Sequence, residues 1–276
     1  MANQIATLAL STAELILRGL PERVGIAAAE ACICVLEHIA PKRRKIAERN
    51  LGLAGVTDPD HVLRSLRRHL ARSAVHIAAG TTQNRIEVRG AEHFHKAKQH
   101  GTGVILAGAH IGNFELGGYT HGALHGPVVA AVQEVAEPID RFLNRRRHRF
   151  GIRTECNSGS VRTLLAALKR GEDIALLDDF NLDIARHTEA PFFGRPTRVS
   201  TAAARLAALS QAPVVPWICV WDVDRYLLRY DPPLPVTGDV NFDTRVITSW
   251  YESVIRQYID QWFWIVPRWP DACDCS

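Results

Sequence analysis

Val104-Ile105-Leu106-Ala107-Gly108-Ala109-His110-Ile111-Gly112-Asn113-Phe114-Glu115 is the stretch on which the reading of this chain turns. An apolar run closed by glycine reads as a buried strand. His110 then falls at the strand's C-terminal end, where open α/β sheets place ligand chemistry. Gly112 permits a tight turn and Asn113 is a good helix N-cap, so a helix is expected to start at Phe114. Residues five apart point about 140° apart on a regular helix. His110 and Glu115 can therefore meet only if His110 lies on the turn and Glu115 in the first helical turn. A carboxylate there suits the helix dipole, and an imidazole beside a carboxylate is a general base for a hydroxyl.

Outward from that stretch the pattern alternates. Strands are expected at 86–89, 104–107, 127–133, 173–177, 214–220 and 226–230. Helices are expected at 92–100, 114–124, 138–150, 161–169, 197–210 and 242–262. The first eighty residues carry only helical periodicity, over 10–17, 24–39, 41–50 and 60–79, broken at Gly19-Leu20-Pro21, Pro41 and Gly55. The expected architecture is α/β, with a largely parallel central sheet flanked by helices and an N-terminal helical region. One domain over 1–276 suffices, made of a helical part at 1–80 and an α/β core at 86–270.

The 33 basic and 29 acidic residues give a formal charge of +4. That balance does not call for nucleic acid, but it suits anionic lipid or an acidic carrier. The six cysteines form no CxxC pair, and no cleavable signal is visible, so reduced cytosolic thiols are expected. No segment qualifies as a transmembrane helix: the run at 5–17 is short and holds Glu14, and that at 24–39 holds Glu30 and Glu37. These read as amphipathic helices that either pack on the domain or lie on a bilayer. The helix over 60–79 adds Arg64, Arg67, Arg68 and Arg72 beside an apolar stripe, as a membrane-surface element or an ordinary solvated face.

Four further segments accompany the His110 stretch. Arg145-Arg146-Arg147-His148-Arg149 ends a helix with more cation than a cap requires. Asp178-Asp179 closes a strand. Thr188-Glu189-Ala190-Pro191-Phe192-Phe193-Gly194-Arg195-Pro196-Thr197 places a carboxylate before an apolar loop. Ala212-Pro213-Val214-Val215-Pro216 turns into another strand.

With HIGNFE, the Arg-rich stretch before RFG, LLAALKRGEDIALLDD, APFFGRPTRVSTAAARLA, QAPVVP and a closing QWFW in that order, the chain resembles the lysophospholipid acyltransferase superfamily. The branch it resembles holds the lipid A late acyltransferases and the mycobacterial phosphatidylinositol mannoside acyltransferases. The resemblance runs from about Arg49 to Arg268. It implies transfer of a fatty acyl chain from a thioester donor, acyl carrier protein or CoA, to a hydroxyl of a lipid or glycolipid such as a lipid A precursor. It implies His110, Glu115 and Glu189 as catalytic residues, with either carboxylate free to orient His110. It also implies Arg147 as the substrate-positioning arginine, with Arg145 and Arg149 competing for that role. Asn113 is a further substrate-binding candidate, and an arginine or a backbone N–H near Gly112-Asn113 is expected to meet the oxyanion. No cofactor or metal is expected, the thioester being a substrate. The long apolar anchor of many lipid A members is not seen, so a peripheral protein on the cytoplasmic face of the inner membrane is expected. Two rivals remain: a non-catalytic lipid- or carrier-binding protein on the same fold, and a metal-dependent hydrolase using His121 and His125.

Overall fold

The computed structural model describes residues 12, 14–79, 85–132, 137–156, 160–180 and 187–269. The expectations for residues 1–11 and for Cys273 and Cys275 lie outside them.

Helical residues 14–19 are followed by α1 (Glu22–Ile39), α2 (Lys42–Leu53) and α3 (Pro59–Ala79). The core follows as β1 (Ile86–Arg89), α4 (Ala91–Lys98), β2 (Ile105–Gly108), α5 (Phe114–His125), β3 (Val128–Val132), α6 (Glu137–Arg149), β4 (Ile152–Cys156), α7 (Ser160–Lys169) and β5 (Asp173–Leu177). It ends with β6 (His187–Phe192), β7 (Arg195–Ser200), α8 (Ala202–Ser210), β8 (Val214–Asp222), β9 (Arg225–Tyr230) and α9 (Val240–Gln257). Seven strands make one sheet in the order β1-β9-β8-β2-β5-β3-β4. Every pairing is parallel except β8 with β9. The α/β class, the largely parallel sheet and the N-terminal helical region are as the sequence led one to expect.

β2 is central, between β5 and β8, and fully buried along its length. Its alternate side chains feed two cores, as the two-residue period of a strand requires. Ile105 and Ala107 join Val214, Ile218 and Val220 on the face covered by α3, α7, α8 and α9. Val104 and Leu106 join Val215, Trp217 and Cys219 on the face covered by α4 and α5.

Three expectations need correction. β4 was not anticipated, because Ile-Arg-Thr-Glu-Cys is a short, polar edge strand supported, among the described residues, only by β3. The loop around Glu189 is a two-stranded hairpin, and the helix expected from Thr197 starts only at Ala202. Pro191 and Pro196 suggested a loop, yet they face each other across a turn in which Phe193 and Gly194 have φ of 53° and 71°. Two central residues at positive φ match the right-handed twist of a hairpin. The last helix ends at Gln257 rather than 262, which frees residues 261–264 to return to the sheet.

That return is tight. Gly112 N donates to Gln261 O at 2.9 Å, and Phe263 N donates to His110 O at 3.0 Å. Gly112 has φ 61°, and a Cβ there would sit 2.2 Å from Cys219 O. Gly55 has φ 74° but open space around it. Gly112→Ala is therefore expected to lose about 2–4 kcal/mol, combining αL strain with backbone overlap, against about 1 kcal/mol for Gly55→Ala. Chemical denaturation of the two variants checks the difference.

Candidate active site

β2 and β5 are adjacent and parallel, with Gly108 level with Leu177. His110 lies two residues beyond Gly108 and Asp179 two beyond Leu177, so the register itself brings them together. Imidazole Nδ1 and Asp179 Oδ1 are 2.7 Å apart. The other carboxylate oxygen accepts from His110 N at 3.0 Å and from Trp262 Nε1 at 2.7 Å. The Asp179 side chain is wholly buried, and that of His110 is 26% exposed. Burial alone would raise the pKa of Asp179. The His110 charge and the hydrogen bonds from His110 and Trp262 outweigh it, and the carboxyl is held below the ordinary aspartate range.

The backbone and indole N–H groups can only donate, so Asp179 must accept as a carboxylate. A neutral His110 then carries its proton on Nδ1, and Nε2 is the unprotonated nitrogen. Among the described residues Nε2 has no hydrogen-bond partner. Phe180 stacks on the ring at 4.6 Å between centroids, Phe114 meets its edge at 5.3 Å, and Phe263 lies 6.2 Å away. The result is a basic nitrogen in an apolar, aromatic setting at the C-terminal end of the sheet, suited to removing a proton beside a hydrocarbon chain.

The neighbouring Asp178 turns elsewhere. It accepts from Tyr251 OH and, at 3.3 Å, from Ala203 N at the start of α8. Desolvation, only partly offset by those bonds and reinforced by Asp179, pushes its pKa up to about 6.

Glu115 takes the expected position in the first turn of α5, which Asn113 caps by accepting from Leu116 N at 3.0 Å. Its partner is not His110. Arg147, in the last turn of α6, grips Glu115 with both Nε, at 3.1 Å, and Nη2. Arg147 Nη1 donates to Asn144 at 3.1 Å. The two charged side chains are 12% and 10% exposed. Burial works against the Arg147 cation, yet the bond and charge of Glu115 raise its pKa. Glu189 is exposed on β6, level with Arg198 of β7. So the carboxylate on His110 is Asp179, neither of the two that the sequence offered, because parallel strands align residues from distant segments that no local spacing reveals.

Other expected contacts also fall differently. Asn113 is 2% exposed, its amide facing Tyr226 OH at 3.4 Å, so its role is to cap the helix. The N–H groups of Gly112 and Asn113 donate to the carbonyls of Gln261 and Cys219, and neither is left for an oxyanion. Arg145 and Arg149 are exposed at the end of α6. Arg146, the arginine of the run from which no part in the site was expected, donates to Glu14 at 2.7 Å and to Ala78 O at 2.9 Å. His121 is buried against Phe94 with Nδ1 on Tyr230 OH at 2.9 Å, and burial together with the His125 and Lys98 charges pushes its pKa down to about 3. It is a core histidine rather than a surface ligand.

The chain belongs to the family of bacterial lipid A biosynthesis acyltransferases, whose profile matches residues 4–271. It is an O-acyltransferase. Over 283 residues it is 24% identical to the phosphatidylinositol mannoside acyltransferase of Mycolicibacterium smegmatis, covering 98% of this chain and 93% of the relative. It is 25% identical over 189 residues to a Mycobacterium tuberculosis protein of the same name, covering 66% of this chain and 59% of the relative. It is 23% identical over 187 residues to the lipid A biosynthesis acyltransferase of Haemophilus influenzae, covering 67% and 59%.

The geometry separates the carboxylates experimentally. Asp179→Asn is expected to lower turnover by about 10²–10⁴-fold, because the amide no longer fixes the Nδ1–H tautomer. Glu115→Gln, which leaves Arg147 charged and half-partnered, is expected to cost stability first, on the order of 3–5 kcal/mol. Steady-state rates beside melting curves for both variants check the division.

Proposed function

We propose that the chain moves a fatty acyl group from a thioester, carried by acyl carrier protein or CoA, to a hydroxyl of a lipid or glycolipid. The observation that carries this reading is the His110–Asp179 pair in its aromatic surround. Nε2 of His110 takes the proton of the acceptor hydroxyl as the oxygen attacks the thioester carbonyl. The tetrahedral intermediate collapses with cleavage of the C–S bond. The departing sulfur takes the proton back from the imidazolium, and the products are an ester and a free thiol. A thioester is already activated, so no covalent enzyme intermediate is required. Asp179 stabilises the transient imidazolium, and general-base help of this kind contributes about 10²–10⁴-fold. The exposed Arg145 and Arg149 are available to the anionic part of a substrate. Arg147 contributes by fixing the end of α6 through Glu115.

The test is transfer of labelled acyl groups from both thioester donors to extracted lipids, read by mass spectrometry. His110→Ala is expected to abolish transfer while the protein stays folded. A variant retaining more than about a tenth of wild-type turnover removes His110 as the base.

We also propose that the acceptor is met at a membrane surface through α1. This helix is inverted. Glu37 turns inward to Arg67 at 2.6 Å and Glu30 to Arg68 at 3.6 Å, while Glu22 meets Arg85 at 2.6 Å. Facing outward are Val24, Val35, Leu36 and Ile39, at 50–75% exposure, with Ala27, Ala28, Ala31 and Cys32 between them. No acidic side chain is exposed on α1, and Arg23, Lys42, Arg43 and Lys45 are exposed at or beyond its ends. Of two candidates to lie on a bilayer, 24–39 and 60–79, this favours the first, α1, over the arginines of α3, two of which pair with glutamates of α1. No single helix among the described residues is long and apolar enough to cross a membrane, and α1 meets α2 at 91°. An apolar stripe bounded by cations fits an anionic bilayer lying along it.

Vesicle flotation tests this. Binding is expected to rise with anionic phospholipid, to weaken at high salt, and to fall several-fold in Leu36→Ser/Ile39→Ser, since each such side chain contributes at most about 1.5–3 kcal/mol. Unchanged flotation overturns the assignment. A change in sedimentation mass without a change in flotation gives the face to a second copy instead.

A further inference from the structure

We infer that Trp262 is a positioning residue of the transfer reaction, acting through Asp179; the inference rests on the reading of His110 as the base. A carboxylate can orient an imidazole only if something other than that imidazole holds the carboxylate. Two of the three hydrogen bonds to Asp179 come from His110 itself, through Nδ1 and through its backbone N–H. Among the described residues the indole N–H of Trp262 is the remaining donor, and it ties Asp179 to the rest of the protein.

The indole is well placed for that task. Trp262 is fully buried and wedged between Phe180, Phe192 and Trp264, at centroid distances of 5.3, 5.8 and 4.6 Å. Its backbone is bridged antiparallel to Ile111, so the residues flanking His110 and the donor to Asp179 move as one unit. Gln261 fixes the approach by accepting from Trp221 N and donating to Trp221 O, both at 2.9 Å. An indole N–H cannot accept, so it favours the ionised carboxylate and with it the Nδ1–H tautomer that leaves Nε2 basic. The closing segment is thus part of the active site, although none of its polar side-chain atoms touches the imidazole.

Trp264 is a matched control. It is also fully buried and also donates one hydrogen bond of 2.7 Å, but to Ile259 O. Trp262→Phe and Trp264→Phe each keep an aromatic ring and remove one buried N–H, and comparable losses of thermal stability are expected. Only Trp262→Phe is expected to lower kcat by roughly tenfold or more with both KM values little changed, the effect of losing a hydrogen bond to a charged group. It is also expected to move the acidic limb of the kcat/KM profile to higher pH. The sign follows from the lost donor: without it Asp179 binds a proton more readily, and the coupled pair retains its shared proton to higher pH. Wild-type kcat in Trp262→Phe, or equal losses in the two variants with no displacement of the limb, reduces Trp262 to packing and overturns the inference. His110→Ala, measured alongside, separates the two levels. An active His110→Ala sinks the base and this inference together. An inactive one, with Trp262→Phe like wild type, sinks this inference alone.

Discussion

A wholly buried carboxylate that accepts three hydrogen bonds is the constraint from which the site follows. Left unpaired, Asp179 would cost several kcal/mol or take up a proton. Its three partners come from two regions, the turn after β2 and the closing segment after α9, and each is placed by backbone pairing rather than by a side chain alone. The β2–β5 register sets the distance between His110 and Asp179. The bridge between Ile111 and Trp262 sets the height of the indole. Gly112 makes the arrangement possible, because any side chain there would strike the Cys219 carbonyl across which the turn folds.

The two acidic groups of the site are kept apart by giving each its own cation. Glu115 and Arg147 close on each other at the start of α5 and the end of α6, where each charge complements its helix dipole. A guanidinium gripping Asp179 instead would stabilise that carboxylate without orienting a base, and would oppose protonation of His110. With Arg147 occupied by Glu115, a protonated His110 has Asp179 as its counter-ion. The four-residue gap between His110 and Glu115 therefore reads as the spacing that puts the glutamate in the first turn of the helix, facing α6.

Much of this was legible in the chain. The strand, the turn glycine, the Asn cap and the first-turn glutamate are local signals, each with a local cause, and they recur as expected. The order of α and β elements gave a parallel sheet because alternation leaves few other arrangements. Asp178-Asp179 was visible as an acidic strand end, but choosing it over Glu115 or Glu189 required knowing that β5 lies beside β2. That adjacency joins segments 69 residues apart and leaves no mark in either of them. The hairpin β6–β7 stayed hidden for a different reason. Prolines punctuate sequence, and here they sit on a two-stranded ribbon whose outer edges need no N–H.

The N-terminal helices show the same limit from the other side. Sequence periodicity identifies an apolar face but cannot say which way it points. For α1 the usual inference, apolar inward, fails because three glutamates on the opposite face find cations on α3 and at Arg85. Such partly exposed pairs contribute little stability individually, about 0–1 kcal/mol each. Their joint effect is one of orientation. Turning α1 over would face its valines toward α3 but would leave Arg67, whose side chain is 13% exposed, without its partner at a packed interface, and a desolvated, unpaired cation is costlier than exposed leucines. Polar pairing on the inside thus leaves the apolar stripe outside, where only a partner of low polarity can cover it.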